Sequence, residues 1–157
     1  MIKVMFVCHG NICRSPMAEF IFKNMVKQKG MSDNFHIASC ATSTEEIGNS
    51  VYPPARRKLM EHNISCEGKR SVQLRKEDYN KFDYLVAMDQ KNMRNIFKII
   101  KEDRENKVYK LLDFTTTPKD IADPWYSGDF DTTYNEIYEG CRGLLDFINN
   151  RNFALVP

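Results

Sequence analysis

Cys8 and Arg14 stand six positions apart in the stretch Cys8-His9-Gly10-Asn11-Ile12-Cys13-Arg14-Ser15. A loop of that length, curling from a strand into the N-terminus of a helix, can aim a thiol and a guanidinium at one small volume. Successive backbone N–H groups of such a loop, here His9 to Ser15, form an anion nest, and the free amides and dipole of the helix add to it. The guest that fits is a phosphate-sized oxyanion. The same positive field favours thiolate over thiol, which makes Cys8 a nucleophile, and Ser15 is placed to donate its hydroxyl to it. Arg14 offers a planar fork for two phosphoryl oxygens, which lysine cannot match. Asn11 tolerates positive φ and can bond back to backbone, as a tight cradle demands. With five cysteines in the chain, the bare spacing is weak evidence. Its weight comes from context: the pair follows a strand, spans Gly and Asn, and ends in Ser-Pro at a helix start. The stretch has no Gly-Lys-Ser/Thr and no Gly-x-Gly-x-x-Gly, so it does not read as a nucleotide-binding loop.

Cleaving a phosphoester through a thiolate also needs a proton donor for the leaving alcohol and later a base for water. The segment from Asp120 to Asp131 is a long loop before the last helix, rich in acids and aromatics, and long loops in compact domains are often functional. Asp123 is preferred there over Asp120, Asp129 and Asp131. Pro124 fixes the backbone just after it, and Trp125 and Tyr126 can wall a substrate ring. Sequence alone does not bring this loop to Cys8, and an ordinary Asp-Pro turn accounts for Asp123 equally well at this point.

The elements that must position these residues alternate between strand and helix. Ile2 to Val7 is a β-branched and apolar run, read as a buried strand that stops at His9-Gly10-Asn11. A helix follows, with Ser15 as N-cap, Pro16 at the first helical position and Glu19 in the first turn. Met17, Ala18, Ile21, Phe22, Met25 and Val26 form its apolar stripe, and Gly30 closes it. Phe35 to Ser39 reads as a second strand, and Pro53-Pro54 opens a helix carrying Leu59 and Met60. Tyr84 to Met88 is a third strand, with a helix marked by Met93, Ile96, Phe97 and Ile100. Val108 to Leu112 supplies a fourth. Thr133-x-x-Glu136 has the form of a capping box ahead of a C-terminal helix striped by Tyr134, Ile137, Cys141, Leu144 and Ile148. Such alternation implies a mostly parallel sheet with helices on both faces, and ligands gather at the carboxyl ends of its strands.

Composition agrees with a folded α/β domain: 157 residues, 42% hydrophobic and 28% charged, suit one domain over residues 1–157. A formal net charge of +2 is too small to imply nucleic-acid or membrane binding by bulk electrostatics, so any anion site must be local. No signal segment and no membrane span is read, and the five cysteines lack paired CxxC spacing, so a reduced, cytoplasmic protein is expected. The scattered His9, His36 and His62 are read as structural, with no metal site.

The motif Val7 to Glu19, the loop residues Ala41-Thr42-Ser43 and Ile47-Gly48-Asn49, and Asp123-Pro124-Trp125-Tyr126 together resemble the low-molecular-weight protein tyrosine phosphatases, in order along the whole chain. By that resemblance the fold is a Rossmann-like three-layer sandwich, a four-stranded parallel sheet in order 2-1-3-4 flanked by five helices. It implies that Cys8 forms a cysteinyl-phosphate, Arg14 holds the phosphoryl group, Asp123 is acid and then base, and Asn11, Ser15 and Ser39 brace the loop. It implies no metal or organic cofactor, a phosphotyrosine protein or peptide as substrate and inorganic phosphate as product. Cys13 would cap oxidised Cys8 as a disulfide, protecting it from over-oxidation. A monomer is expected.

Three departures from that family bear on specificity. Glu45 stands on the pocket wall where an apolar side chain is usual, and a negative rim disfavours acidic peptides. Lys69-Arg70-Ser71-Val72 replaces a His-x-Ala-Arg segment, so the outer support of the cradle must be built differently. His9 replaces Leu or Thr and can add positive charge at the mouth at low pH. Protein-arginine phosphatases on the same fold are the alternative; they carry Thr where Ile12 lies, and Ile12 favours a flat aryl phosphate. Arsenate reduction would need further cysteines after the third strand, which are missing between Leu85 and Lys107. A non-catalytic phosphate-binding or redox-sensing module is the remaining alternative.

Overall fold

The computed structural model describes residues 1–154, with side chains described through 151; the expected domain bounds run on to 157, outside the described residues. Four parallel strands, β1 (Ile2–Cys8), β2 (Phe35–Ala41), β3 (Tyr84–Ala87) and β4 (Val108–Lys110), form one sheet in the order β2-β1-β3-β4. Among the described residues six α-helices surround it: α1 (Arg14–Gln28), α2 (Pro53–Glu61), α3 (Asp78–Lys81), α4 (Gln90–Ile100), α5 (Pro124–Ser127) and α6 (Phe130–Ala154). The count of five is corrected to six; α3 and α5 are each four residues long, too short to show a helical stripe in the sequence.

Side chains of β1 alternate between two cores, as the period of two requires. Val4, Phe6 and Cys8 join Met17, Ile21 and Phe22 of α1 and Ile137, Leu144 and Ile148 of α6 on one face. Met5 and Val7 join Leu85, Ala87 and Ile96 on the other. Burial on both faces is why Val4 to Cys8 of β1 and all of β3 read as continuous apolar runs, Lys3 falling at the exposed start of β1. The close seating of α6 requires glycine: a Cβ on Gly143 would stand 2.0 Å from the Phe114 carbonyl oxygen, and one on Gly140 2.5 Å from Leu111 Cγ. Among the described residues, no helix is long and apolar enough to cross a membrane.

Several local expectations are corrected. Helix α1 starts at Arg14 with Cys13 before it, and no side chain caps it; the Ser15 hydroxyl is engaged elsewhere. Thr133 lies inside α6, where its hydroxyl donates to the Asp129 carbonyl, while the Asp129 carboxylate accepts the Thr132 amide at 3.0 Å and so caps the helix. Glu136 pairs with Lys119 instead of closing a capping box. Strand β4 ends at Lys110, and Leu111–Phe114 is a 3-10 turn under α6. Met60 is exposed on α2, with Leu59 alone of that pair buried.

In register, Cys8 lies beside Ala41, and Val7 beside Ala87. The carboxyl ends of β1, β2 and β3 therefore open on one edge, the edge where a parallel sheet presents ligand-binding loops.

Candidate active site

The loop after β1 is held from outside through its carbonyls. The Cys8 carbonyl accepts the Thr42 amide (2.9 Å), His9 the Ser43 amide (3.1 Å) and Ile12 the Tyr52 amide (2.9 Å). The Gly10 carbonyl accepts the Ser71 hydroxyl at 2.8 Å. With these carbonyls turned outward, backbone amides can face the interior of the loop: those of Asn11 and Ser15 point at Cys8 Sγ from 3.3 and 3.4 Å. Ser15 Oγ lies 3.0 Å from the same sulfur. Three polar groups thus converge on one sulfur. Asn11 sits at φ 59, in the left-handed region that asparagine tolerates. Gly10 serves a different need, since a Cβ there would press on Glu46 at 3.3 Å.

Behind the loop runs a buried chain of hydrogen bonds. The Asn11 amide group donates to Ser15 Oγ (2.7 Å) and Ser39 Oγ (2.9 Å), and the Ser39 hydroxyl donates to Glu19 Oε1 (2.6 Å). Glu19 is buried and carries Lys23 at 2.5 Å, with Lys69 at 3.6 Å. Its reading as a first-turn partner of the helix dipole is corrected: it is a buried anchor. The sequence held a signal for this, because Glu19 falls on the apolar stripe, three residues before Phe22. The departure at Lys69 to Val72 resolves here as well. Lys69 Nζ donates to the Ser39 carbonyl (2.8 Å), Ser71 to Gly10, and the Val72 amide to Asn11 Oδ1 (3.2 Å).

Arg14 is buried beneath the loop, where it donates to Asp89 Oδ2 (2.6 Å) and the Ile121 carbonyl (2.8 Å) and lies 3.5 Å from Asp123 Oδ2. Burial works against its charge, but the Cys8 sulfur, Asp89 and Asp123 outweigh that and hold the guanidinium above its ordinary value. It remains a fixed cation. Asp89, missed in the sequence, follows β3 and also caps α4 through a reciprocal pair with Asn92; its place at the carboxyl end of a strand was the available signal. Burial, with Cys8 and Asp123 adding to it, pushes the Cys13 thiol up, so Cys13 stays protonated.

The structure brings Cys8, His9, Gly10, Ile12, Cys13, Arg14, Glu45, Asp123, Trp125 and Tyr126 to one cleft, together with Glu46. Asn11, Ser15 and Ser39 sit buried behind it. The loop around Asp123 contains α5, and the Asp123 carboxylate accepts the Trp125 amide at its start (3.1 Å). Asp120 is turned away, bound to the Gln90 amide and to Lys110. At the rim, His9 Nε2 and Glu45 Oε2 are 3.0 Å apart.

An amide-lined loop with a thiol at its base, on the carboxyl edge of a doubly covered parallel sheet, is the arrangement a cysteine-dependent phosphatase requires. Residues 3–153 match the low molecular weight phosphotyrosine protein phosphatase family. The chain belongs to that family. It is 37% identical over 149 residues to the low molecular weight protein-tyrosine-phosphatase PtpA of Staphylococcus aureus, covering 94% of each chain. The crystal structure of YfkJ from Bacillus subtilis superposes with a TM-score of 0.92 at 34% identity, covering 96% of both chains. That of DARP, a Drosophila arginine phosphatase, gives 0.85 at 26% identity, covering 94% of this chain and 98% of the other.

Proposed function

We propose that this enzyme hydrolyses phosphotyrosine in proteins through Cys8, Arg14 and Asp123. The observation that carries the reading is their convergence: three side chains from the start, the start and the last third of the chain face one cleft. In the first step the Cys8 thiolate attacks phosphorus, the bond from phosphorus to the phenolic oxygen breaks, and the leaving oxygen takes the Asp123 proton. In the second, water attacks the cysteinyl-phosphate, Asp123 takes a proton from it, and the thiolate leaves with inorganic phosphate as product. Arg14 and the loop amides hold the equatorial oxygens in both steps. Ile12, Trp125 and Tyr126 supply flat apolar walls for a ring. In this reading Cys13, which lines the same cleft, caps an oxidised Cys8 as a disulfide. The enzyme acts as a cytoplasmic monomer in this reading.

The test is steady-state hydrolysis of matched phosphotyrosine and phosphoarginine peptides under reducing, metal-free conditions. A preference of about tenfold or more for phosphotyrosine is expected, the scale on which an apolar pocket discriminates; a preference for phosphoarginine would move the enzyme to the other branch. The rim gives a second expected result. Glu45 is largely exposed, so a phosphotyrosine peptide flanked by glutamates has kcat/KM about threefold below one flanked by lysines, the scale of an exposed charge pair. Salt narrows that gap and Glu45→Lys reverses it; a gap indifferent to both would remove Glu45 from substrate selection.

A further inference from the structure

The segment carrying Asp123 is thinly held. Of α5 only Pro124 is buried, while Trp125 is 52% and Tyr126 85% exposed. A side chain outside the chemical machinery supplies what is missing. Tyr52 lies just before α2, and its amide is fixed to the Ile12 carbonyl of the cradle at 2.9 Å. Its ring meets that of Trp125 at 4.7 Å, tilted by 52°, and that of Phe130 at 6.2 Å. Trp125 in turn donates its amide to Asp123 Oδ1. At the far end of the segment, Lys58 of α2 pairs with Asp131 at the start of α6.

We propose that Tyr52 is a positioning residue for Asp123: its ring clamps Trp125, and so fixes the start of α5 and the carboxyl group over the cradle to which Tyr52 itself is tied. The contact joins the proton donor to the nucleophile loop through one side chain, so the two move together. The proposal rests on the reading of Asp123 as the proton donor. Tyr52 acts by ring contact, since its hydroxyl plays no part in the path.

Trp125 is the single tryptophan of the chain, so its emission reports the contact directly. Kinetics are measured for Tyr52→Ala, Tyr52→Leu and Tyr52→Phe on phenyl phosphate, whose leaving group needs protonation, and on 4-nitrophenyl phosphate, which needs it far less. Tyr52→Ala is expected to red-shift Trp125 emission and lower kcat about tenfold on phenyl phosphate, part of what a general acid supplies. The first step on 4-nitrophenyl phosphate, read from the burst of nitrophenol, stays within about twofold of wild type, because that phenolate leaves without help and the nucleophile and cradle are intact. Tyr52→Leu follows Tyr52→Ala if the smaller side chain fails to fold, and Tyr52→Phe restores both emission and rate. In an Asp123→Asn background, Tyr52→Ala costs nothing further on phenyl phosphate, because the group it positions is gone. Equal first-step losses on both substrates, a first-step loss that persists beside Asp123→Asn, or unshifted Trp125 emission would each overturn the proposal. If Asp123→Asn alone shows no leaving-group dependence, the proton-donor reading itself falls and takes the clamp with it, an outcome visible without any Tyr52 variant.

Discussion

Cys8→Ser is expected to lose turnover on phosphotyrosine by about 10⁴-fold or more, the loss that follows removal of a nucleophile working within a constellation. A serine oxygen fits the space but, at neutral pH, gains too little from two amides and a hydroxyl to attack phosphorus as an anion. Phosphate binding should survive, because Arg14 and the loop amides are untouched and Asn11 still ties Ser15 to Ser39. The measurement pairs steady-state rates with phosphate titration followed by Trp125 emission, which stands at the mouth of the cleft. Acid-quenched wild-type enzyme should carry phosphate on the peptide containing Cys8. A variant that keeps more than about one percent of the rate, with phosphate still bound, would show that another group attacks phosphorus.

What was legible in the sequence divides along a physical line. The cradle is contiguous, and strand, glycine, asparagine and helix start constrain one another within a few residues, so its shape and chemistry could be read locally. The alternation of strands and helices likewise led to the parallel sheet, because burial on both faces leaves continuous apolar runs in β1 and β3. Residues defined by register were harder. Asp89 and Tyr52 reach the site because β1, β2 and β3 end together; the end of β3 beside Asp89 hints at this, and nothing near Tyr52 does. Glu19, and Ser15 in its reading as an N-cap, differ for another reason: a carboxylate or hydroxyl near a helix start has the same local signature whether it serves the helix end or a buried network. At Thr133 the pattern of a capping box was present, but Asp129 begins the helix a turn earlier and leaves Thr133 inside it. Asp123 could be chosen by its neighbours, while its meeting with Arg14 depends on the return of the chain after β4.

Asp123→Asn separates the roles assigned to the two ends of the chain. The asparagine keeps the size of the side chain and an oxygen able to accept the Trp125 amide, so α5 should retain its start. It cannot give up a proton to a leaving phenolate. On phenyl phosphate, kcat should fall about 10²- to 10³-fold, within the range that general acid catalysis supplies. On 4-nitrophenyl phosphate the first step should fall far less, because that phenolate leaves without help. Hydrolysis of the cysteinyl-phosphate also loses its base, so the intermediate should accumulate on the good substrate and give a burst of nitrophenol followed by a slow steady state. That burst distinguishes a lost proton carrier from damage to the cradle, which would slow the first step on both substrates alike. Equal losses on the two substrates without a burst would move the acid role to another carboxyl group. Asp120 is poorly placed to inherit it, held by the Gln90 amide and Lys110. Asp89 is bound to Arg14 at 2.6 Å and its second oxygen caps α4, so both of its oxygens are engaged. Asp123 is in a different position: its Oδ1 accepts the Trp125 amide, while Oδ2 lies 3.5 Å from Arg14, beyond a short hydrogen bond, at the edge of the cleft. That looser hold leaves Oδ2 of Asp123 less engaged than either oxygen of Asp89, and it is on this difference that the proposed acid role is assigned to Asp123.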